Sequence, residues 1–359
     1  MKHRSMRLFE LLLSRKQLSP NDTDLSTIKR ILVIRQHDQL GDFLLSTPVL
    51  RALRQHFPFA HIALLTRSYT TDVARHNQFI NDLLFLHDSG HQYSWQWFKE
   101  LWSKLRAGYD LTIVLNTVSH SLSSDILAAL SRPRYILGSE HRIFPGCKRN
   151  FLYNLAAPYD PAPKHQSQRN LDIVRYLGID TADPSENMTI TPLEAAWATQ
   201  WLNEHTNSPT EIIFGLHPGA GKLENRWPVE RFAAVLNHFY ETYGIRWLVT
   251  WGPKEKNLGK DLKKQLSFQP IELTNVNLRQ FAAVISRLPF FLCNDTGVLH
   301  VAAAAGTPLL SLFGPTDISQ WKPLGDKFHA IQGKDGTVAS VKVDNVIERI
   351  TKIMDIKSK

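Results

Sequence analysis

Cysteine is scarce. Cys147 and Cys293 are the only two in 359 residues, far apart and outside any CxxC pattern. That argues against a disulfide framework and a zinc knuckle, and fits a reducing compartment. The expected location is therefore the cytoplasm. Long apolar runs are also missing. No stretch of about 18 apolar residues occurs, which excludes a membrane-spanning helix. The first twenty residues are basic and partly apolar. Glu10 interrupts their apolar run and no small-residue cleavage site follows, so they do not read as a signal peptide. An amphipathic helix with Arg4, Arg7, Arg15 and Lys16 on its polar side would suit a membrane surface. An ordinary surface helix, or a frayed end, is the plainer alternative.

The net charge of +9 asks for an anionic partner. No nucleic-acid module accompanies it, neither a zinc finger nor an RNP1-type aromatic strand. A phosphorylated substrate or a membrane surface fits better than nucleic acid. Standard nucleotide fingerprints are absent too. The turn His217-Pro218-Gly219-Ala220-Gly221-Lys222 resembles a phosphate loop, but Leu223 stands where Ser or Thr belongs. It is no G-x-G-x-x-G fingerprint either, because Glu224 takes the last glycine's place. A nicotinamide oxidoreductase is set aside on that ground.

What is present is alternation. Residues 31–34, 61–65 and 111–115 are short apolar runs that predict buried parallel strands. Between them, 43–57 has a helical period with Pro48 inside it, so the helix starts at Thr47 or kinks there. A Trp-rich helix is predicted over 93–106. Its Trp95, Phe98, Trp102 and Leu105 recur at helical spacing, and core packing is the default for such a stripe. The polar stretch 181–191 reads as a domain boundary. Beyond it, strands are predicted at 212–216, 246–250, 290–293 and 308–312. Helices are predicted at 228–242, 278–287 and 297–305, with a last one near 341–354. Alternation twice over implies two doubly wound α/β domains facing each other. The expected division is an extension over 1–28, a domain over 29–185, and a second over 186–340. A helix in 341–359 is expected to pack back on the first domain.

The sharpest local signal is Asn294-Asp295-Thr296-Gly297, where a buried run ends and an Ala-rich helix begins. Free N–H groups and about half a positive charge at a helix start favour phosphate. Gly297 allows close approach, and His300, one turn in, is expected on the ligand side. Asp295 or Thr296 as a plain helix cap is the competing reading. Phe313-Gly314-Pro315-Thr316 makes a second turn at the same edge. Lys222 beside the glycine turn suits phosphate, and Arg226 either pairs with phosphate or is simply exposed. Asp42, in Gln39-Leu40-Gly41-Asp42, is a helix cap or a general base. Metal readings are weak. Asp22-Thr23-Asp24 sits in a polar linker, and His87 and His91 flank a Ser-Gly loop. No metal site is assigned. Arg132, Arg134, Arg142, Lys148, Arg149, Lys164 and Arg169 crowd one part of the first half; they are a solvated face or a path for an acidic acceptor.

Together these blocks resemble the lipopolysaccharide heptosyltransferases, glycosyltransferase family 9. The resemblance rests on Ile31–Arg35 with Leu40-Gly41-Asp42, Thr47-Pro48 and Leu50–Leu53. It continues in His217–Ala220 with Arg226-Trp227-Pro228, then Trp251-Gly252-Pro253 with Glu255. The last block is Asn294–His300 with Phe313–Thr316. It implies the GT-B fold and metal-independent, inverting transfer of a sugar, usually heptose from ADP-heptose, to lipopolysaccharide core. Asp42 matches the family's base. The donor set implied is His217, Gly219, Ala220, Lys222, Arg226, Glu255, Asp295, Thr296, Gly297 and His300. Glu255 is expected near the ribose. The acceptor candidates are Arg132, Arg134, Arg142, Lys164 and Arg169. The expected partners are a nucleotide-sugar donor, an anionic glycolipid acceptor and the membrane surface, with no cofactor. Asn225 departs from the family's Lys, which leaves a phosphate contact to Lys222. A nucleotide-sugar epimerase on the same scaffold, or an idle sugar- or lipid-binding paralogue, are the alternatives.

Overall fold

The computed structural model describes residues 2–36, 39–88, 94–208 and 210–356. The chain divides into two compact units at Ser185/Glu186.

Six parallel strands form the sheet of the first unit: β1 (Arg30–Ile34), β2 (His61–Arg67), β3 (Asp82–Leu86), β4 (Leu111–Val114), β5 (Tyr135–Ser139) and β6 (Leu155–Ala157). Their order is β3-β2-β1-β4-β5-β6. Among the described residues, seven α-helices accompany them: α1 (Lys2–Leu13), α2 (Leu40–Leu44), α3 (Thr47–His56), α4 (Thr71–Ala74), α5 (Trp95–Leu105), α6 (Leu122–Leu130) and α7 (Gln166–Arg175). Pro48 sits in the first turn of α3, where its missing N–H costs nothing. One sheet face is built from in-register neighbours: Leu32 beside Ala63, and Ile34 beside Leu65 and Val114. Leu105 from α5 and Ala128 from α6 cover that face. Residues 2–28 join this unit. Glu10 is buried and accepts the N–H of Lys148 at 3.0 Å, and Leu18 N–H donates to Asn154 O at 2.8 Å.

The second unit repeats the design. Its strands are β7 (Ile213–His217), β8 (Arg246–Thr250), β9 (Ile271–Leu273), β10 (Phe291–Asn294), β11 (Leu309–Phe313) and β12 (Phe328–Gln332), in the order β12-β11-β10-β7-β8-β9. Its helices are α8 (Pro192–His205), α9 (Val229–Tyr243), α10 (Lys256–Lys263), α11 (Leu278–Ile285), α12 (Gly297–Ala304), α13 (Ile318–Trp321) and α14 (Val343–Ile353). Read in chain order, both sheets have the 3-2-1-4-5-6 pattern of dinucleotide-binding folds. The order reverses between β1 and β4 in one unit and between β7 and β10 in the other. The crevices at those points are where such sheets take ligands. The last helix, expected to reach back to the first domain, buries Val346 and Ile350 in the second unit's own core beside Trp227 and Phe232.

The Trp-rich helix differs from expectation. Of its stripe only Leu105 is buried; Trp95, Phe98 and Trp102 are 70, 47 and 42 % exposed. Leu101 and Leu105 make the inward stripe, one turn apart, and rotate the aromatic positions outward.

Candidate functional site

In the second unit, the carboxyl ends of β7 and β10 are clipped together by Asn294. This fully buried amide donates to Pro218 O at 2.8 Å and accepts Trp227 N–H at 3.1 Å. It thereby fixes both ends of the loop 218–227. That loop carries Arg226, whose Nε donates to Ala220 O at 2.8 Å. Asn225 donates to Asp295 Oδ2 at 2.9 Å and so orients the carboxylate. A neutral amide thus holds Asp295 without a cation. Lys222 does not fill the gap in this arrangement. Its side chain is 71 % exposed, and its ammonium stands 3.9 Å from Glu224.

Neither Asp295 nor Thr296 caps α12 in the way the plain reading required. Thr296 is the N-cap, yet its side chain accepts no cap hydrogen bond, and the Asp295 carboxylate is taken by Asn225. The helix start keeps its N–H groups free of a side-chain acceptor. His300 corrects another expectation. It is 4 % exposed, and its Nδ1 lies 2.9 Å from Oε1 of the equally buried Glu186. It turns into the protein and braces α12.

Glu255 stands where three groups meet. Its Oε2 accepts Gly252 N–H at 2.9 Å and lies 3.5 Å from His217 Nε2; its Oε1 is 3.9 Å from Arg226. The carboxylate rests on Gly219, where a Cβ would fall 2.0 Å from Oε1. Burial holds the His217 imidazole below its ordinary pKa, with Glu255 pulling the other way. A cavity of about 280 Å³ opens beside this cluster. Its walls are His217, Thr250–Pro253, Lys256, Leu273–Val276, Leu278, Phe281 and Val298. It has the apolar, aromatic-edged lining and roughly the size that a nucleobase needs. Asn275 adopts φ of 59° there, a left-handed turn that Asn tolerates better than most residues. The wall 273–276 escaped the sequence reading, because β9 is three residues long and carries no motif. A larger open cavity, about 390 Å³, lies by Lys29 and Ala60, at the amino ends of β1 and β2. That is the wrong edge of an open α/β sheet for its ligand.

In the first unit, Asp42 occupies the first turn of α2, after β1. Its Oδ2 accepts Gln39 N–H at 3.0 Å, so it does cap the helix with one oxygen. The turn is fixed from below by Arg35, 2 % exposed, which donates to Asp42 O at 3.2 Å and to Asn170 Oδ1 at 3.4 Å. Asn170 in turn donates to Leu45 O at 3.0 Å. Arg35 and Asn170 were not singled out from sequence, though Arg35 closes the first motif block.

The five acceptor candidates separate. Arg132 and Arg134 precede β5, at its amino end, so they sit at the edge opposite Asp42; Arg134 lies over Tyr135 at 4.9 Å. They are withdrawn from the acceptor set. The strand they precede was not predicted, and without it their edge was unreadable. Arg142 follows β5 and is exposed at the carboxyl edge. Arg169 donates to Asp160 O at 2.9 Å and lies over Tyr159 at 5.2 Å. Lys164 is engaged by Asp172 at 2.7 Å and Asp160 at 3.6 Å. Nearby, His120 bridges Arg142 O at 2.6 Å and Asp125 Oδ2 at 2.7 Å, which ties the Arg142 loop to α6. Of the weak metal readings, Asp22 and Asp24 each accept a neighbouring N–H, Ser19 and Ser26, as turn caps. His91 lies outside the described residues.

Two parallel sheets of this order, each with a switch point at its carboxyl edge, give an α/β protein of the GT-B class. Solved structures share the fold. The glycosyl transferase family 9 protein of Veillonella parvula DSM 2008 superposes with a TM-score of 0.78 at 23% identity, covering 92% of this chain and 98% of that one. Escherichia coli ADP-heptose lps heptosyltransferase II gives 0.72 at 20% identity, with 90% and 98% covered. Among characterised sequences, lipopolysaccharide heptosyltransferase 3 of Escherichia coli is 27% identical over 293 residues, 79% of this chain and 83% of that protein. The model of glycosyltransferase family 9 (heptosyltransferase) matches residues 98–350. The chain belongs to that family, and it is a glycosyltransferase.

Proposed function

We propose that this enzyme moves a heptose from ADP-heptose to the core of a lipopolysaccharide acceptor, with inversion and without a metal ion or other cofactor. One observation carries the reading: the amino end of α12, uncapped by any side chain, opens at the switch point that also holds the 280 Å³ cavity. The adenine takes that cavity and the ribose lies against Glu255. The diphosphate meets the free N–H groups of α12, with Arg226 beside them. These groups gain strength as the leaving diphosphate gains charge, so they favour the transition state over the bound donor.

On the acceptor side, Asp42 takes the proton of the attacking hydroxyl. The oxygen bonds to the anomeric carbon as the bond to the diphosphate breaks, and ADP leaves. A single displacement inverts that carbon. Gln39 and Arg35 keep the carboxylate at the mouth of its turn. Arg142, Lys164 and Arg169 offer positive charge to an anionic acceptor. The names of the relatives support this donor and acceptor. Among the described residues no helix is long and apolar enough to cross a membrane. We place the reaction at the cytoplasmic face, where the enzyme meets its glycolipid at the surface.

Purified protein given ADP-heptose and a truncated core acceptor tests the reading. ADP is released only with acceptor present, and excess EDTA leaves the rate unchanged. Tight ADP binding with no release would favour an idle paralogue. Conversion of the donor without acceptor would favour an epimerase.

A further inference from the structure

A solvent-facing aromatic ladder runs along α5. Trp95, Phe98 and Trp102 lie on one face of the helix at spacings of three and four. Their rings stack in sequence, 5.8 Å from Trp95 to Phe98 and 6.3 Å from Phe98 to Trp102, nearly parallel at 14° in both cases. All three are substantially exposed, while the core is served by Leu101 and Leu105 on the adjoining face. Three rings about half exposed present on the order of 300 Å² of apolar surface, the size of patch that soluble proteins keep for a partner. Cations border it. Lys99 Nζ is 5.4 Å from the Trp95 ring centre, and the Arg106 guanidinium is 5.6 Å from that of Trp102.

Charge chooses the occupant. Residues 1–185 hold 23 Lys and Arg against 16 Asp and Glu, or +7 of the chain's +9. A second copy would bring the same positive field to the patch. A stable dimer also needs about 800 Å² from each partner. Indole rings flanked by Lys and Arg suit the boundary between acyl chains and anionic headgroups.

We infer that α5 is a membrane-docking surface, which seats Trp95, Phe98 and Trp102 in the interface of an anionic bilayer. This deepens the glycolipid-acceptor reading by naming the surface that meets the lipid. It is tested by binding alone, so that transfer to a soluble acceptor stands or falls separately.

The experiment is co-sedimentation of the full chain with vesicles of phosphatidylcholine, with and without phosphatidylglycerol. Wild type is expected to pellet with the phosphatidylglycerol vesicles and to be released by high salt. The variant Trp95→Ser/Phe98→Ser/Trp102→Ser should bind at least tenfold more weakly, with circular dichroism and transfer to a soluble acceptor unchanged. Trp95→Phe/Trp102→Phe should keep most of the binding but lose most quenching by brominated acyl chains. Equal pelleting of wild type and the Ser variant overturns the inference. So does binding lost instead in Leu11→Ser/Leu12→Ser on α1. A concentration-dependent dimer that the Ser variant abolishes, with no vesicle binding, overturns it in favour of a second copy.

Discussion

Gly219 lies directly beneath the carboxylate of Glu255, so closely that a single added methyl would fall 2.0 Å from Oε1. The glycine is there for space. Its backbone is not left-handed, so the substitution to alanine has no conformational cost of that kind. Glu255 is the end of a flexible side chain and can swing away. Gly219→Ala should therefore change stability by less than about 1 kcal/mol. Displacing Glu255 breaks its bond to Gly252 and its approach to His217 and Arg226. ADP affinity, measured by calorimetry, should fall at least tenfold, or about 1.4 kcal/mol. Unchanged affinity would remove Glu255 from the nucleotide wall.

Asn225 and Asp295 make the second test. The amide holds a carboxylate beside the open start of α12. Hydrogen bonds to charged groups are worth about 1.5–3 kcal/mol. Asn225→Asp sets two carboxylates against each other, so ADP should bind roughly tenfold to a hundredfold more weakly. Asp295→Ala should also weaken ADP. If both variants bind ADP like wild type, the Asn225–Asp295 pair has no part in the donor site.

Glu194 supplies a pH dependence. It opens α8 with a capping box, accepting Thr191 N–H at 2.9 Å, and it is gripped by Arg279, which is buried on α11. Arg279 holds its pKa down to about 2, against partial burial, from an ordinary 4.5. The sign follows from linkage: the folded state keeps the proton off, so this stability is present above about 4.5 and is lost as pH falls through about 2. Glu194→Gln should cost about 2 kcal/mol at neutral pH. In urea titrations the gap to wild type should close as pH drops below 4.5. A gap that stays constant to pH 3 would show that the charge is not what Arg279 holds.

Much of this architecture was legible in the sequence. The central strands β1, β4, β7 and β10 are buried on both faces and read as plain apolar runs, which put the switch points in view. The edges were not legible. β6 and β9 have three residues each, and β12 mixes Phe328 and Ile331 with His329 and Gln332. β5 was hidden behind Arg132 and Arg134, and losing it misplaced those two cations. The motif residues His217, Glu255, Asn294 and Asp295 do converge on one strand edge. What joins them depends on partners far along the chain: Asn225 on Asp295, and Glu186 on His300. Hydrogen bonds across 70 and 114 positions leave no periodic trace in a sequence. The outward turn of Trp95 and Phe98 was equally hidden, because helical spacing alone gives a stripe without saying which way it faces.

The central claim is that Asp42 is the base, although one of its oxygens also caps α2. The most direct measurement is transfer by Asp42→Ala and Asp42→Asn at saturating ADP-heptose, with ADP affinity read in parallel. Loss of a positioned base should lower kcat by about 10²–10⁴ while ADP binds as in wild type. A variant that turns over near the wild-type rate would contradict the account: Asp42 would be a cap, and the proton would leave by another route.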